Sequence, residues 1–416
     1  MRAVTSGAAA PAWAEQVVGR CRELAAISEE DGRLTRRFAT PAMARANALV
    51  GGWMAAAGMQ VRTDAAGNLV GRLEGGDPAV GTLLLGSHLD TVRDAGAFDG
   101  PLGVLAAVAC VERLRAEGTA LPFAIDVVAF SDEEGLRYGT AYLGSRAVAG
   151  TFDPALLDLV DDDGVTLGDA LRDFGGVPEE IAGASRRGEQ LLGYCEVHIE
   201  QGPVLEGRDV PVGVVSAIAG ATRAELEFSG RAAHAGTVPM GARHDAACAA
   251  AEWVLAVEAA ACAEPGLVAT VGRLEARPGA PNVVPGAAVA SLDARHADDA
   301  VREAAVTALR AEAQRIGAAR GVEVAWREVM SASAVAADGA LTAALSTAVA
   351  ERGLAVVTLP SGAGHDGVAL AQLTGVAMLF VRCAGGISHH PDESVDEADV
   401  AVALDVLHGF VRGLAR

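Results

Sequence analysis

An apolar run at Leu83 to Leu85 leads into GSHLDTV, a glycine-rich loop ends at FDGPLG, Val104 to Glu117 has helical periodicity, and Phe123 to Phe130 is an apolar strand running into SDEEG. Strand, loop, helix and strand in this order predict a parallel α/β unit. Functional side chains of such a unit belong at the carboxyl ends of its strands, and both polar motifs fall there. The expected fold class is therefore α/β. A chain of 416 residues also exceeds the size at which one hydrophobic core stops growing, so two domains are expected. Hydrophobic residues make up 51% of the sequence and aromatics only 4%, which implies an interior of Ala, Val and Leu, as in helices covering a sheet.

The flanking segments extend the pattern. Val17 to Ala26 and Met43 to Ala57 read as amphipathic helices, followed by short strands near Gln60 to Arg62 and Asn68 to Leu73. Tyr194 to Gln201 reads as another strand. After it come alternating strand character over residues 212–236, a long Ala-rich helix from Ala246 to Ala263, and strands at Val268 to Glu275 and Ala287 to Arg295. A helix from Asp299 to Ala318 and a strand at Glu323 to Arg327 complete a β-α-β-β-α-β order, that of a ferredoxin-like insert. The α/β texture resumes from Ala340, with strands at Ala355 to Leu359 and Val376 to Val381 and a helix from Glu397 to Leu414. The expected division is a discontinuous main domain, 1–212 and 328–416, interrupted by a smaller one at 213–327.

Charge and composition narrow the chemistry. A formal net charge of −21 argues against a nucleic-acid or anionic-membrane partner, because nothing would neutralise a row of phosphates. The chain has no lysine, which excludes Schiff-base chemistry, a P-loop lysine and a Ser-Lys dyad. MRAVTSGAAAPAWAEQ lacks a continuous apolar segment and no run of 18 apolar residues follows, so a cytoplasmic location is expected. The six cysteines have no CxxC spacing and fit reduced thiols.

Five segments carry metal-binding residue types. His88 and Asp90 are two apart, so an extended backbone would project them to one side, where a carboxylate can orient an imidazole. Asp99 precedes a helix and could equally be a cap. Glu133 and Glu134 are consecutive at a strand end, so they are expected to point to opposite sides, one ligating and one handling protons. Alternation puts Glu196, His198 and Glu200 on one strand face, and GISHHPDE places His389 and His390 in a loop after a strand. Each has an ordinary reading: a hydrogen-bonded histidine, a helix cap, an acidic turn, a half-solvated strand. Together they form a mixed N and O donor set suited to Zn²⁺, Mn²⁺, Co²⁺ or Ni²⁺, and too large for one ion that keeps an open position. Two ions sharing a carboxylate would use it in full.

GSHLDTV, FDGPLGV, DEEG, HIEQGP, GRAAHAGTVPM, PNVVPG, SGAGHD and GISHHP, in order over residues 40–400, resemble the amidase, hydantoinase and carbamoylase branch of the M20 metallopeptidases. The resemblance implies a Zn-peptidase-like catalytic domain with a mixed, mostly parallel sheet flanked by helices, and an inserted ferredoxin-like domain that dimerises and closes over the site. It implies that His88, Asp99 and His198 hold one metal and Asp99, Glu134 and His389 the other, with Asp99 bridging. Glu133 would be the general base and Asp90 the partner of His88. Gln201, His234, Asn282, Arg295 and Gly364 would contact a ureido acid, with His365 close by. Among these, Arg295 would clamp its carboxylate and His234 would polarise the developing oxyanion, reaching the site from the second subunit of a homodimer. Relatives often carry Asn at the place of His390, which leaves open which of the two imidazoles ligates. LGSHLDTV, DAGAFDGPLGV, LPFAIDVVAFSDEEG and FVRCAGGISH look most like allantoate amidohydrolases, with N-carbamoyl-L-amino-acid amidohydrolases and ureidopropionases as the alternative. A peptidase or aminoacylase, or an inactive binding protein, fits less well, since His198 stands where peptidases present a carboxylate and every expected ligand is present.

Overall fold

The computed structural model describes residues 10–416, so the beginning of the MRAVTSGAAAPAWAEQ segment lies outside the described residues. The chain forms two compact units. One comprises the chain up to Ser216, Ala337–Leu359 and Ala363–Arg416; the other comprises Ala217–Ala336 and Pro360–Gly362.

In chain order the first unit begins with α1 (Ala10–Ala25), α2 (Pro41–Ala56), β1 (Gln60–Thr63), β2 (Leu69–Leu73), β3 (Thr82–His88), α3 (Pro101–Ala116) and β4 (Ala124–Phe130). Then come α4 (Leu143–Val148), α5 (Leu167–Phe174), β5 (Leu191–Ile199), α6 (Val204–Gly207) and β6 (Val212–Ile218). The second unit carries β7 (Gly220–Ser229), β8 (Ala233–His234), α7 (Ala246–Ala263), β9 (Val268–Thr270), β10 (Leu274–Arg277), β11 (Val283–Val284), β12 (Ala287–His296), α8 (Asp299–Arg320), β13 (Glu323–Ala332) and β14 (Val335–Ala336). The chain closes with α9 (Gly339–Ala350), β15 (Thr358–Ser361), α10 (Gly367–Leu370), β16 (Val376–Val381) and α11 (Glu397–Leu414).

The sheet of the first unit runs β1-β2-β4-β3-β5-β16-β6. Its centre, β4-β3-β5-β16, is parallel, and β2 and β6 flank it antiparallel. One face is closed by helices. Ala14, Val17, Val18, Cys21 and Leu24 of α1 recur at helical spacing and pack with Leu83, Leu85, Val127, Val197 and Leu379. From Pro101 to Val111 every residue of α3 is buried and apolar or small, because the helix is sandwiched, packing against β3, α1 and α11. Thr40 starts α2, accepting a hydrogen bond from the Met43 amide at its Oγ1 with Pro41 at the first turn.

The second unit orders its sheet β10-β12-β7-β13, all pairs antiparallel, with β9 also on β12. Both long helices contribute to one core with this sheet: Trp253 and Val257 of α7 and Leu309 and Ile316 of α8 pack with Leu226, Phe228 and Leu292. This is the expected ferredoxin-like arrangement. The helix α7 is long and apolar enough to cross a membrane by length and composition alone. It lies on the sheet through Ala246, Ala249, Ala250, Trp253 and Val257.

Several element boundaries differ, and the strand expected at Glu323 to Arg327 runs on to Ala332. The strand expected over Val268 to Glu275 is two short strands, β9 and β10, interrupted between Thr270 and Leu274. The strand expected at Ala355 to Leu359 begins only at Thr358. Two helices, α4 and α5, occupy a stretch for which periodicity gave nothing. The first has six residues and starts on Tyr142 in a left-handed conformation without a side-chain cap, so no start signal exists. The second has a Thr166 cap and a Gly175 stop but only eight residues.

Candidate metal centre

Strand alternation builds the first half of the site. In β3 and β5, which are parallel neighbours, Leu83, Leu85, Cys195, Val197 and Ile199 face the helices. The opposite face receives His88 and His198, both buried, with ring centroids 6.0 Å apart. Each Nδ1 is engaged by a backbone carbonyl, His88 at 3.0 Å from Asp90 O and His198 at 2.9 Å from Ile199 O. A carbonyl can only accept, so both rings carry a proton on Nδ1, which leaves Nε2 as the nitrogen that ligates in the neutral ring.

Both Nε2 atoms face Asp99. The first helical turn of α3 is entered through Gly100, without a side-chain cap, so Asp99 is not spent on capping. Gly100 has φ +83°, and a Cβ there would lie 2.4 Å from the His88 ring. Only glycine lets the loop turn and lie against the imidazole. Asp99 Oδ1 is then 3.1 Å from His198 Nε2 and 3.9 Å from His88 Nε2, and Oδ2 is 3.1 Å from His389 Nε2. Glu134 Oε1 lies 3.7 Å from His389 Nε2, and Glu133 Oε2 lies 3.9 Å from His88 Nε2.

The donor atoms of His88, Asp99 and His198 fall within 4.8 Å of one another, and so do those of Asp99, Glu134 and His389 and of His88, Glu133 and Glu134. These residues fit a cation. His198 Nε2 is buried and has no hydrogen-bond partner despite its approach to Asp99. Burial would lower the pKa of His198, but Asp99 and Glu196 push it up to about 9, and Asp99 likewise holds His389 at about 9. Burial raises Glu134 to about 7.

Two expectations about local geometry are corrected. Glu133 and Glu134 were expected on opposite sides, yet both reach the neighbourhood of His88. The strand has ended at Phe130, and Asp132 takes φ +53°, so alternation no longer applies. Asp90 was expected to orient His88 through its carboxylate. The carboxylate does lie 3.7 Å from His88 Nδ1, but the closer partner of that nitrogen is the Asp90 carbonyl, and the carboxylate oxygens accept the amides of Glu133 at 3.2 Å and Glu134 at 3.0 Å. Asp90 therefore fixes the backbone that carries both glutamates.

Of the residues expected at the substrate, Gln201 lies in this cluster. Its Nε2 donates to Asp99 Oδ2 at 2.8 Å and to Ser388 Oγ at 3.2 Å, with φ +57°. His365 is buried with its ring 4.5 Å from that of His198, and burial holds it well below the usual histidine range. Tyr142 lies over Gly364, where a Cβ would meet its hydroxyl. His390 is exposed, and its Nδ1 accepts the Asp392 amide at 3.2 Å, so it is His389 that meets Asp99. His234, Asn282 and Arg295 belong to the second unit. His234 is exposed on β8, its Nδ1 accepting the Gly236 amide at 3.1 Å. The carbonyl of the exposed Asn282 accepts the Ala235 amide at 3.0 Å. Arg295 pairs with Asp293 at 2.8 and 3.0 Å and donates to Gly362 O at 2.7 Å.

Sequence reasoning passed over Glu196, Asp366, Ser388 and Glu393, all beside the ligand set. Glu196 is buried behind His198 and accepts from Ser87 Oγ at 2.6 Å. Its place on the His198 face was the only sequence signal. By contrast Glu200 caps α6, accepting the Val204 and Leu205 amides at 2.7 and 2.9 Å.

A sequence profile of peptidase family M20/M25/M40 matches residues 84–413. The chain belongs to that family. Among curated relatives, the protein named "Probable allantoate deiminase" of Oryza sativa subsp. japonica is 41% identical over 432 aligned positions, covering 95% of this chain and 88% of the relative. The N-carbamoyl-L-amino acid amidohydrolase of Geobacillus stearothermophilus is 39% identical, with 97% and 98% covered. Among solved structures, an amidase of the hydantoinase/carbamoylase family from Burkholderia multivorans superposes with a TM-score of 0.91 at 33% identity, covering 97% and 98%. M20 enzymes are metal-dependent hydrolases, and the branch with these relatives is the one the motifs resemble.

Proposed function

We propose that this chain is a metal-dependent amidohydrolase that cleaves a ureido C–N bond of a small carboxylated substrate, with allantoate, giving ureidoglycine, ammonia and CO2, as the preferred member of that class. The observation that carries the reading is the convergence of three imidazoles on one buried carboxylate, Asp99, with Glu133 and Glu134 alongside. Two divalent cations account for the set, His88 and His198 on one side of Asp99 and Glu134 and His389 on the other, with Zn²⁺ or Mn²⁺ favoured and Co²⁺ or Ni²⁺ as further candidates. When bound, such ions supply a lowered water pKa and charge stabilisation at the carbonyl oxygen.

The protein's own groups do the rest. Glu133, held by its amide on Asp90, takes the proton of the attacking water at its carboxylate and returns it to the leaving nitrogen. Arg295 offers a planar fork for the substrate carboxylate, exchanging Asp293 for it. His234 and Asn282 present donors to the ureido oxygens. Gln201, Gly364 and His365 line the reacting end.

The relatives support the ureido class; an N-carbamoyl-L-amino-acid substrate is the second reading, favoured by the 39% identity to the Geobacillus enzyme. The test is ammonia release from allantoate, N-carbamoyl-L-amino acids, N-carbamoyl-β-alanine and N-acetyl amino acids under each of the four metals, with free amino acid assayed for the acetyl compounds. Allantoate is expected to turn over fastest. Turnover of the acetyl compounds alone would overturn both readings.

We also propose a homodimer. Supporting it, the exposed side of α7 carries Leu255, 65% exposed, midway between the exposed Cys248 and Cys262. A monomer mass by light scattering at working concentration would exclude it.

A further inference from the structure

The loop that carries Asp99 and the loop that carries His389 come from opposite ends of the chain, and one buried side chain fastens them together. Glu393 is 5% exposed. Its Oε1 accepts the backbone amides of Phe98 at 2.7 Å and Asp99 at 3.0 Å. Its Oε2 lies 3.3 Å from Ser388 Oγ, whose hydroxyl donates to Asp99 Oδ2 at 2.7 Å. The Glu393 amide donates to His390 O at 3.0 Å, which closes the turn immediately after His389. Packing is tight enough that a Cβ on Gly96 would lie 2.3 to 2.5 Å from three Glu393 atoms.

These contacts differ from ordinary loop bracing. Two amides on one carboxylate oxygen fix the direction in which the Asp99 backbone leaves the loop, and the Ser388 hydroxyl fixes the rotation of its carboxylate. His389 meanwhile sits at φ +56°, a conformation that a non-glycine residue holds only when its surroundings impose it. A buried carboxylate without a cation partner is costly, and it is retained here where one of its oxygens accepts both amides of the Asp99 loop.

We infer that Glu393 is the positioning residue of the metal centre, holding Asp99 and His389 at the separation one cation requires. The inference rests on the reading that Asp99, Glu134 and His389 bind a cation, and it goes beyond it by assigning the assembly of that half-site to a residue that touches neither ion nor substrate. Groups that orient ligands typically change metal affinity by about 10 to 100-fold when removed.

The experiment is chelator-competition titration of the metal-free chain with Co²⁺, read by its visible absorption, for the native chain, Glu393→Ala, Glu393→Gln and Ser388→Ala, with far-UV circular dichroism of each. Native chain is expected to take two equivalents. Glu393→Ala should weaken the second by about 10 to 100-fold and alter the absorption band while the dichroism is unchanged. Glu393→Gln keeps an acceptor oxygen for the Phe98 and Asp99 amides and should recover most of the loss, and Ser388→Ala should fall between. Native affinity and spectrum in Glu393→Ala would overturn the inference, as would Glu393→Gln behaving like Glu393→Ala. Failure of the native chain to bind Co²⁺ at all would instead overturn the underlying metal-centre reading.

Discussion

The Glu133 carboxyl is buried and lies against His88, and burial together with Glu134 and Asp366 pushes it well above the usual carboxylate range. Cations held by the neighbouring ligand set would offset that negative charge and lower its pKa again, the direction a general base requires. Replacing it leaves Asp99, Glu134 and the histidines in place. Glu133→Ala is therefore expected to lower kcat by at least about 100-fold while metal content by mass spectrometry stays at the native value. Activity within a few-fold of native would remove it as the base. At this scale the sequence was informative about identity and poor about direction. His88, Asp99, His198 and His389 were each ambiguous alone and became nameable as ligands only together, through the mixed donor set and the order of motifs that carries the family resemblance. That Asp90 works through its carbonyl on His88 and through its carboxylate on two amides depends on the turn at Asp132, which no spacing rule encodes. Glu393 was invisible for a similar reason: its partners are backbone amides about 295 positions away.

Elements set the site by ending where they do. The strands β3 and β5 stop at His88 and Ile199, and α3 begins one residue after Gly100, so the loop between β3 and α3 must fold back on the His88 ring. Gly100→Ala would place a methyl 2.4 Å from that ring on a backbone at φ +83°. Gly118, at φ +67° with open space around its Cβ position, supplies the control. Both alanine variants should lose about 1 to 2 kcal/mol of stability from the left-handed backbone. Only Gly100→Ala should lose metal affinity, measured by chelator competition. Equal metal affinity in the two would show that the close approach is immaterial. The long helices and the parallel strands were readable because α1, α3 and β4 repeat their apolar positions over several turns or pleats. The short α4 lacks both length and a capping side chain, and the split between β9 and β10 occurs in a segment whose residues remain exposed, so no buried face constrains its pattern.

At the scale of the molecule, the sequence order of β-α-β-β-α-β inside an α/β pattern was enough to place a ferredoxin-like insert, because that order has few ways to bury both helices on one sheet face. What the insert contributes chemically, through His234, Asn282 and Arg295, is proposed from the ureido-acid reading. Arg295 is engaged with Asp293 and Gly362 O. The whole account turns on two cations sharing Asp99 in a ureido-cleaving site. The direct measurement is ammonia release from allantoate as metal-free protein is titrated with Mn²⁺. Activity should rise to a plateau reached at two equivalents per chain and be absent from Glu133→Ala at every point. A plateau at one equivalent, or no ammonia from any ureido acid at saturating metal, would contradict it.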